Sequence, residues 1–334
     1  MKFVLDATGG DNAPEAAVEG ALNALDVTDN SLNLILIGDE PSISKKFGGE
    51  IPNRISTIHT AQQVDMHDSG ASVIKKKPDS AIVQGIRLIK DGHADGFISA
   101  GHTGAVMTAA TLLLGRISNV KRPALAAYIE TDVGGKVICD VGANPDAGPE
   151  HFLQFGIMAS HYLKYVERQN NPKIALINIG EESSKGSDLY KKAHKLLNQE
   201  LPNFVGNVEG RHLLDCDANV LICDGFVGNT VLKFGEGWLT VFQKSLMKLI
   251  NNRFRYKIGL LFLKPVLKNI KNQYDYEEHG GTPLLGVNGI VIVCHGSSGP
   301  KSFYNSILLG QKSIENKLIE FTKSELDKHL EAYK

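Results

Sequence analysis

Short apolar runs recur along this chain, and each is followed at once by glycines and small polar residues. Five copies stand out, at residues 3–11, 96–104, 137–144, 174–182 and 220–229. A continuous apolar run of this length reads as a strand buried on both faces, and helical periodicity follows most copies. Strands are expected at 2–6, 32–38, 55–59, 174–179, 220–223 and 289–293. Helices are expected at about 14–26, 70–90 (broken near Pro78-Asp79), 104–114, 149–169, 188–200, from about Thr230, and at 301–331. Residues 125–129 and 136–140 can pair as a hairpin through Asp132-Val133-Gly134-Gly135. The alternation predicts an α/β fold whose loops gather at one edge of a mostly parallel sheet, where ligands bind. Glycine lets backbone N–H groups approach a ligand, and a helix N-terminus favours an anion, so several loops are expected to form one oxyanion site.

The 334 residues suit one large domain or two intimate lobes, and with no linker or repeat to divide the chain a single domain, residues 1–334, is expected. A net charge of −1 argues against a globally basic nucleic-acid binder. The N-terminus reads as a strand from residue 2 rather than a signal peptide, and no apolar run reaches the ~18 residues of a spanning helix. Cys139, Cys216, Cys223 and Cys294 form no C-x-x-C pair and read as reduced thiols of a cytosolic protein. Cys216 lies between two aspartates, which disfavours a thiolate.

Residues 244–274 break the neutral pattern. They hold eight basic residues and no acid, around the apolar run 258–263 with Leu260, Leu261 and Phe262. Such a stretch suits an anionic membrane surface; it equally suits a helical hairpin packed on a second subunit. The helical segment is expected at about 239–274.

Candidate site residues follow from the loops. Lys185, in a Ser-Ser-Lys-Gly loop after a strand, can hold a phosphate, although the P-loop spacing is absent. Asn229, at the end of the 224–229 loop with Asp224, Gly225 and Gly228, is either a helix N-cap or an oxyanion donor beside free helix N–H groups. Residues 99–104, with Gly101, His102, Thr103 and Gly104, resemble an anion nest, and His102 either caps backbone or acts on a ligand. Gly9 and Gly10 lie between Asp6 and Asp11, and Asn144 ends a similar loop after Asp140. These aspartates read as backbone caps rather than metal ligands, and no zinc motif is present. A G-x-G-x-x-G after the first strand and a G-x-S-x-G elbow are both absent, so no dinucleotide or serine-hydrolase chemistry is indicated. Lys75-Lys76-Lys77 either complements a helix dipole or docks an acidic protein.

Taken in order, Asp6-Ala7-Thr8-Gly9-Gly10-Asp11, residues 99–105, 140–144 and 224–229, and His295-Gly296-Ser297-Ser298 resemble the PlsX-type phosphate acyltransferases of bacterial phospholipid synthesis, over essentially the whole chain. That family has Met where Thr8 stands and Asn where His102 stands. The resemblance implies a three-layer α/β/α sandwich related to phosphotransacetylases and isopropylmalate-type dehydrogenases, with a projecting helical hairpin. It implies transfer of a long acyl chain from acyl carrier protein to inorganic phosphate, with no cofactor or metal. It also implies a homodimer, peripheral attachment to the inner face of the cell membrane, and hand-over of acyl phosphate to a glycerol-3-phosphate acyltransferase. Lys185 is then expected to hold phosphate and Asn229 the oxyanion. The rival readings are a short-chain phosphotransacetylase using coenzyme A, a decarboxylating hydroxy-acid dehydrogenase and a non-enzymatic membrane-surface scaffold.

Overall fold

The computed structural model describes residues 1–65, 67–251, 254–273 and 275–331. The first third of the chain alternates β1 (Lys2–Asp6), α1 (Glu15–Val27), β2 (Asn33–Gly38), α2 (Glu40–Lys46), β3 (Ile55–His59), α3 (Gly70–Lys76), α4 (Ala81–Lys90) and β4 (Gly96–Ser99). Helix α5 (Thr103–Ala109) continues through a π-helical turn, Ala110–Leu114, and a loop leads to β5 (Ala124–Ile129) and β6 (Lys136–Cys139). Then come α6 (Pro149–His161), β7 (Ile174–Asn178), α7 (Asp188–Glu200), β8 (Phe204–Glu209) and β9 (Val220–Ile222). The long helices α8 (Gly225–Asn251) and α9 (Phe254–Gln273) follow, then β10 (Thr282–Leu285), β11 (Ile290–Val293), α10 (Pro300–Glu315) and α11 (Leu318–Glu331).

All strands join one eleven-stranded sheet, in the order β3-β2-β1-β4-β11-β10-β5-β6-β9-β7-β8. Side chains alternate across it. Phe3, Leu5, Leu34, Leu36, Val137, Leu176 and Val220 face one core with α1, α6, α7, α10 and α11. Val4, Ile35, Ile37, Ile138, Ala175 and Leu221 face a second core with α3, α4 and α5. Burial on both faces is why these strands read as unbroken apolar runs, and it gives the three-layer α/β/α sandwich.

The sheet departs from the expected convergence of its loops. Strands β1, β2, β3, β4 and β11 run parallel to one another, and β6, β9, β7 and β8 run parallel to one another. The antiparallel pairings β11–β10, β10–β5 and β5–β6 lie between the two sets and reverse the second relative to the first. The loops after β1, β4 and β11 therefore leave from strand ends opposite to those that feed the loops after β6, β7 and β9. They form two clusters, not one.

Helices α8 and α9 pack on each other as the expected hairpin. Apolar side chains stand in water along α8 at Phe234, Trp238, Val241 and Phe242, and along α9 at Ile258, Phe262 and Val266, one stripe per helix at helical spacing. Phe262 is 80% exposed and Leu260 half-buried; the side chain of Leu261, and residues 252, 253 and 274 of the basic stretch, lie outside the described ones. No helix among the described residues is long and apolar enough to cross a membrane.

Candidate functional site

The first cluster is knotted by Asp6. One carboxylate oxygen accepts from the Thr8 backbone N–H (2.9 Å), the Thr8 hydroxyl (2.7 Å) and the Gly9 N–H (3.1 Å). The other accepts from Ser99 Oγ at 2.7 Å, and Ser99 Oγ accepts from the Gly101 N–H at 3.0 Å. The two loops touch so closely that a Cβ on Gly9 would lie 2.6 Å from the Gly101 backbone. The third loop joins through the Asp11 N–H, which donates to the Gly296 carbonyl at 2.7 Å. His102 caps α5: its Nδ1 accepts from the Ala105 N–H at 3.1 Å. His102 thus caps the helix through Nδ1, and Gly9 and Gly101 let the two loops pack closely. Thr103 and Gly104 form the first turn of α5, half-buried. Near this cluster Lys77 is tied to Asp65 and Asp68 at 3.1 and 2.7 Å, which leaves Lys75 and Lys76 as the outward members of their trio.

The second cluster is built on Asp140, which is fully buried. Its carboxylate accepts from the backbone N–H groups of Leu125 (3.0 Å), Ala143 (3.1 Å) and Asn144 (2.5 Å), and from the Asn144 amide (3.0 Å). Burial raises the carboxyl group's pKa, against the pull of these donors. The Asn144 amide nitrogen also donates to the Pro123 carbonyl at 2.7 Å, so both of its hydrogens are committed. Asn144 is a strut between β5 and β6, and its amide has no hydrogen left to offer a ligand.

Helix α8 begins at Gly225, five residues before the expected Thr230. Asp224 is its cap: Oδ1 accepts from the Val227 N–H at 2.9 Å, and Oδ2 accepts from the Tyr190 hydroxyl at 2.6 Å. Burial and this carboxylate together push the Tyr190 hydroxyl well above the usual phenol range, so it stays a donor. The Gly225 N–H donates to the Asn144 carbonyl at 2.8 Å and the Gly228 N–H to the Asp224 carbonyl at 3.0 Å. Asp224 is thus occupied with the fold. A Cβ on Gly225 would lie 2.8 Å from Asn144 N, and one on Gly228 would lie 1.9 Å from the Asp140 carbonyl oxygen. These two glycines let α8 sit against the β6 loop, a packing duty.

Asn229 lies in the second turn of α8, exposed, beside Gly142. It is not the cap, and the N–H groups of Gly225, Val227 and Gly228 expected to assist it already have partners. Its amide makes no hydrogen bond among the described residues. Lys185 stands on the neighbouring β7 loop, its side chain 48% exposed and its Nζ 3.9 Å from Glu182. That loop is fastened by Asn178, whose amide donates to the Lys185 carbonyl at 3.2 Å, and by Tyr190, which ties α7 to Asp224. Lys185 and Asn229 thus belong to one loop cluster and extend outward from it, whereas Gly9, Gly10, Gly101, His102, Thr103 and Gly104 belong to the other.

The thiols add no nucleophile here. Cys139 and Cys223 are fully buried, and burial pushes both well above the ordinary thiol range. Among the described residues no group of three or more His, Cys, Asp or Glu side chains is placed to hold a metal ion.

A feature the sequence reading passed over is a cleft of about 270 Å³ between α5 and the loop after β6, with Arg116, Lys121 and Arg122 in its lining. The signal for it was three cations within seven residues between Gly115 and Pro123.

A family model described as "Fatty acid synthesis protein" matches residues 1–320. A phosphate acyltransferase of Desulfitobacterium hafniense is 44% identical over 98% of this chain and 98% of its own. One of Pelotomaculum thermopropionicum is 42% identical over 98% and 95%. Among solved structures, a phosphotransacetylase of Streptococcus pyogenes superposes with a TM-score of 0.59 at 16% identity, covering 96% of this chain and 94% of that one. The EutD phosphotransacetylase of Staphylococcus aureus gives 0.58 at 20% identity, covering 94% of each; both likenesses bear on the fold. A full-length match at this identity leaves one conclusion: the chain belongs to the PlsX-type phosphate acyltransferase family, the one described as fatty acid synthesis protein.

Proposed function

We propose that this protein transfers a long-chain acyl group from acyl carrier protein to inorganic phosphate. The observation that carries the reading is the second loop cluster. It presents one cation, Lys185, and one amide, Asn229, on a scaffold whose polar groups Asp140, Asn144, Tyr190 and Asp224 are occupied with the fold. A phosphate oxygen attacks the thioester carbonyl carbon, a C–O bond forms, and the carbonyl oxygen takes negative charge. Collapse of this intermediate breaks the C–S bond, and the thiolate leaves to take a proton from water. Phosphate is its own nucleophile, so the protein's work is positioning, at up to ~7–11 kcal/mol, and charge stabilisation, at ~3–4 kcal/mol per good donor. Lys185 holds the phosphate charge and Asn229 donates to the oxyanion. The Asn229 side chain works without the N–H groups of Gly225, Val227 and Gly228, which are taken.

The test is thiol release from palmitoyl-carrier protein with and without inorganic phosphate, trapping product with hydroxylamine. Phosphate-dependent release with a hydroxamate product is the expected result, and an acetyl donor should turn over far more slowly. Release independent of phosphate would overturn the reading.

The hairpin supports the membrane and dimer parts of the proposal. The α9 stripe, in a segment rich in Lys and Arg, suits the anionic inner surface of the cell membrane, where a water-insoluble acyl phosphate passes to a glycerol-3-phosphate acyltransferase. The α8 stripe at Phe234, Trp238, Val241 and Phe242 suits a second copy of the chain. Phe262 is the more exposed of the two expected lipid contacts, Leu260 and Phe262, whose side chains are described. Phe262→Glu is therefore expected to abolish flotation with anionic vesicles and leave turnover of a water-soluble short-chain donor intact. Unchanged flotation would remove the lipid role from α9.

A further inference from the structure

The cleft beside α5 has two unlike walls and a definite direction. Arg116, Lys121 and Arg122 bring three cations to its lining from one nine-residue loop, 115–123. The Arg116 guanidinium donates to the Lys121 carbonyl and curls the loop so that these side chains reach one cavity. Met107, Leu112 and Leu284 supply apolar wall. Ala143 and Asn144 line the end nearest the second loop cluster. They adjoin Gly142, where a Cβ would lie 3.7 Å from the Asn229 side chain.

We propose that this cleft receives the phosphodiester-bearing arm of the acyl donor. The cationic loop binds the phosphodiester and the apolar wall follows the arm, so that the thioester arrives beside Asn229. This rests on the phosphate acyltransferase reading, since a carrier protein holds its acyl group on a pantetheine arm joined through a phosphodiester. The cleft approaches the ~300 Å³ at which small-molecule pockets begin, more than an inorganic oxyanion needs. Its mixed lining fits a chain of methylenes and amides ending in phosphate better than a free ion. Arginine offers a planar fork that matches phosphate oxygens. Arg122 now pairs with the exposed Asp146 at 2.7 Å, and Lys121 with the exposed Glu150. Exposed pairs of this kind are weak, so a better-placed dianion or diester can displace them.

The test compares two donors on the full-length enzyme: palmitoyl-phosphopantetheine and palmitoyl-pantetheine, which differ only in the phosphate. Wild type is expected to prefer the first, and Arg116→Ala/Arg122→Ala to lose that preference through a rise in KM of about tenfold or more, the size of a lost charged hydrogen bond. Arg122→Gln alone keeps the Arg116–Lys121 contact and should show part of the same loss. A rise in KM for inorganic phosphate with the donor preference intact would overturn the proposal and make the cleft the phosphate site. Equal losses on both donors, or none, would also overturn it. Calorimetric binding of phosphopantetheine against pantetheine, with no acyl group, separates this from the reaction itself. Selective binding by wild type, lost in the double variant, sustains the cleft even if turnover fails to depend on phosphate. Indifference to the phosphate in wild type ends the proposal even if the enzyme makes acyl phosphate.

Discussion

Lys185→Ala and Asn229→Ala should each lower kcat by about 10²–10³-fold while the protein melts within a degree or two of wild type. The magnitude is that of removing one oxyanion-stabilising donor from a preorganised site. The unchanged melting follows from what the side chains touch. Asn229 is exposed in the second turn of α8 with its amide free of partners among the described residues. Lys185 is half-exposed and 3.9 Å from Glu182, an ion pair of ~0–1 kcal/mol at most. The two variants should also differ from each other. Lys185 acts on a charge present before reaction, so its loss raises KM for phosphate as well as lowering kcat. Asn229 acts on charge that appears only in the tetrahedral intermediate, so its loss lowers kcat with KM nearly unchanged. Steady-state kinetics over a range of phosphate concentrations, with circular dichroism melts, read both effects. Activity within tenfold of wild type in both variants would move the chemistry to the first cluster, around His102 and Gly10.

The strand–loop units were legible because β1, β4, β6, β7 and β9 are buried on both faces, which writes them as continuous apolar runs. Three elements were not. Thr282-Pro283-Leu284-Leu285 makes β10 short and places a proline in it, a residue that argues against a strand inside a sheet. β8 is the last strand in the sheet, half-polar, with Gly206 at φ +106°. α2 is seven residues long and carries a Pro in its first turn. The reversal of the sheet lies in pairings at β10 and β5, and no local pattern records which neighbour a strand takes, so two loop clusters read as one. Asp224, Gly225, Gly228 and Asn229 stand out in the sequence as one glycine-bearing loop, and the structure places them together at the start of α8. Their division of labour was hidden, since a capping aspartate, packing glycines and an outward amide look alike until the helix start is fixed.

Gly228→Ala should be the most damaging single methyl in the molecule's second cluster. The added Cβ would lie 1.9 Å from the Asp140 carbonyl oxygen, 2.9 Å from its carbon and 2.9 Å from Cys223 Sγ. Relief requires either the β6 loop or α8 to move. The loop is held by four hydrogen bonds to one buried carboxylate, and α8 by the Gly225–Asn144 and Val227–Asp224 bonds. Forcing backbone apart in so constrained a place costs about 3 kcal/mol or more, at or above the upper end for overpacking. Gly237→Ala in the same helix is the matched control. Nothing lies within 4 Å of its added Cβ, so it should stabilise the helix by about 0.5–1 kcal/mol. Urea unfolding of the pair should therefore move in opposite directions. Gly228→Ala should also lose activity beyond its loss of stability, because a shifted α8 carries Asn229 away from Gly142. A Gly228→Ala protein with wild-type stability would mean that α8 and the β6 loop are not in the close contact described. The placement of Asn229 would fall with it.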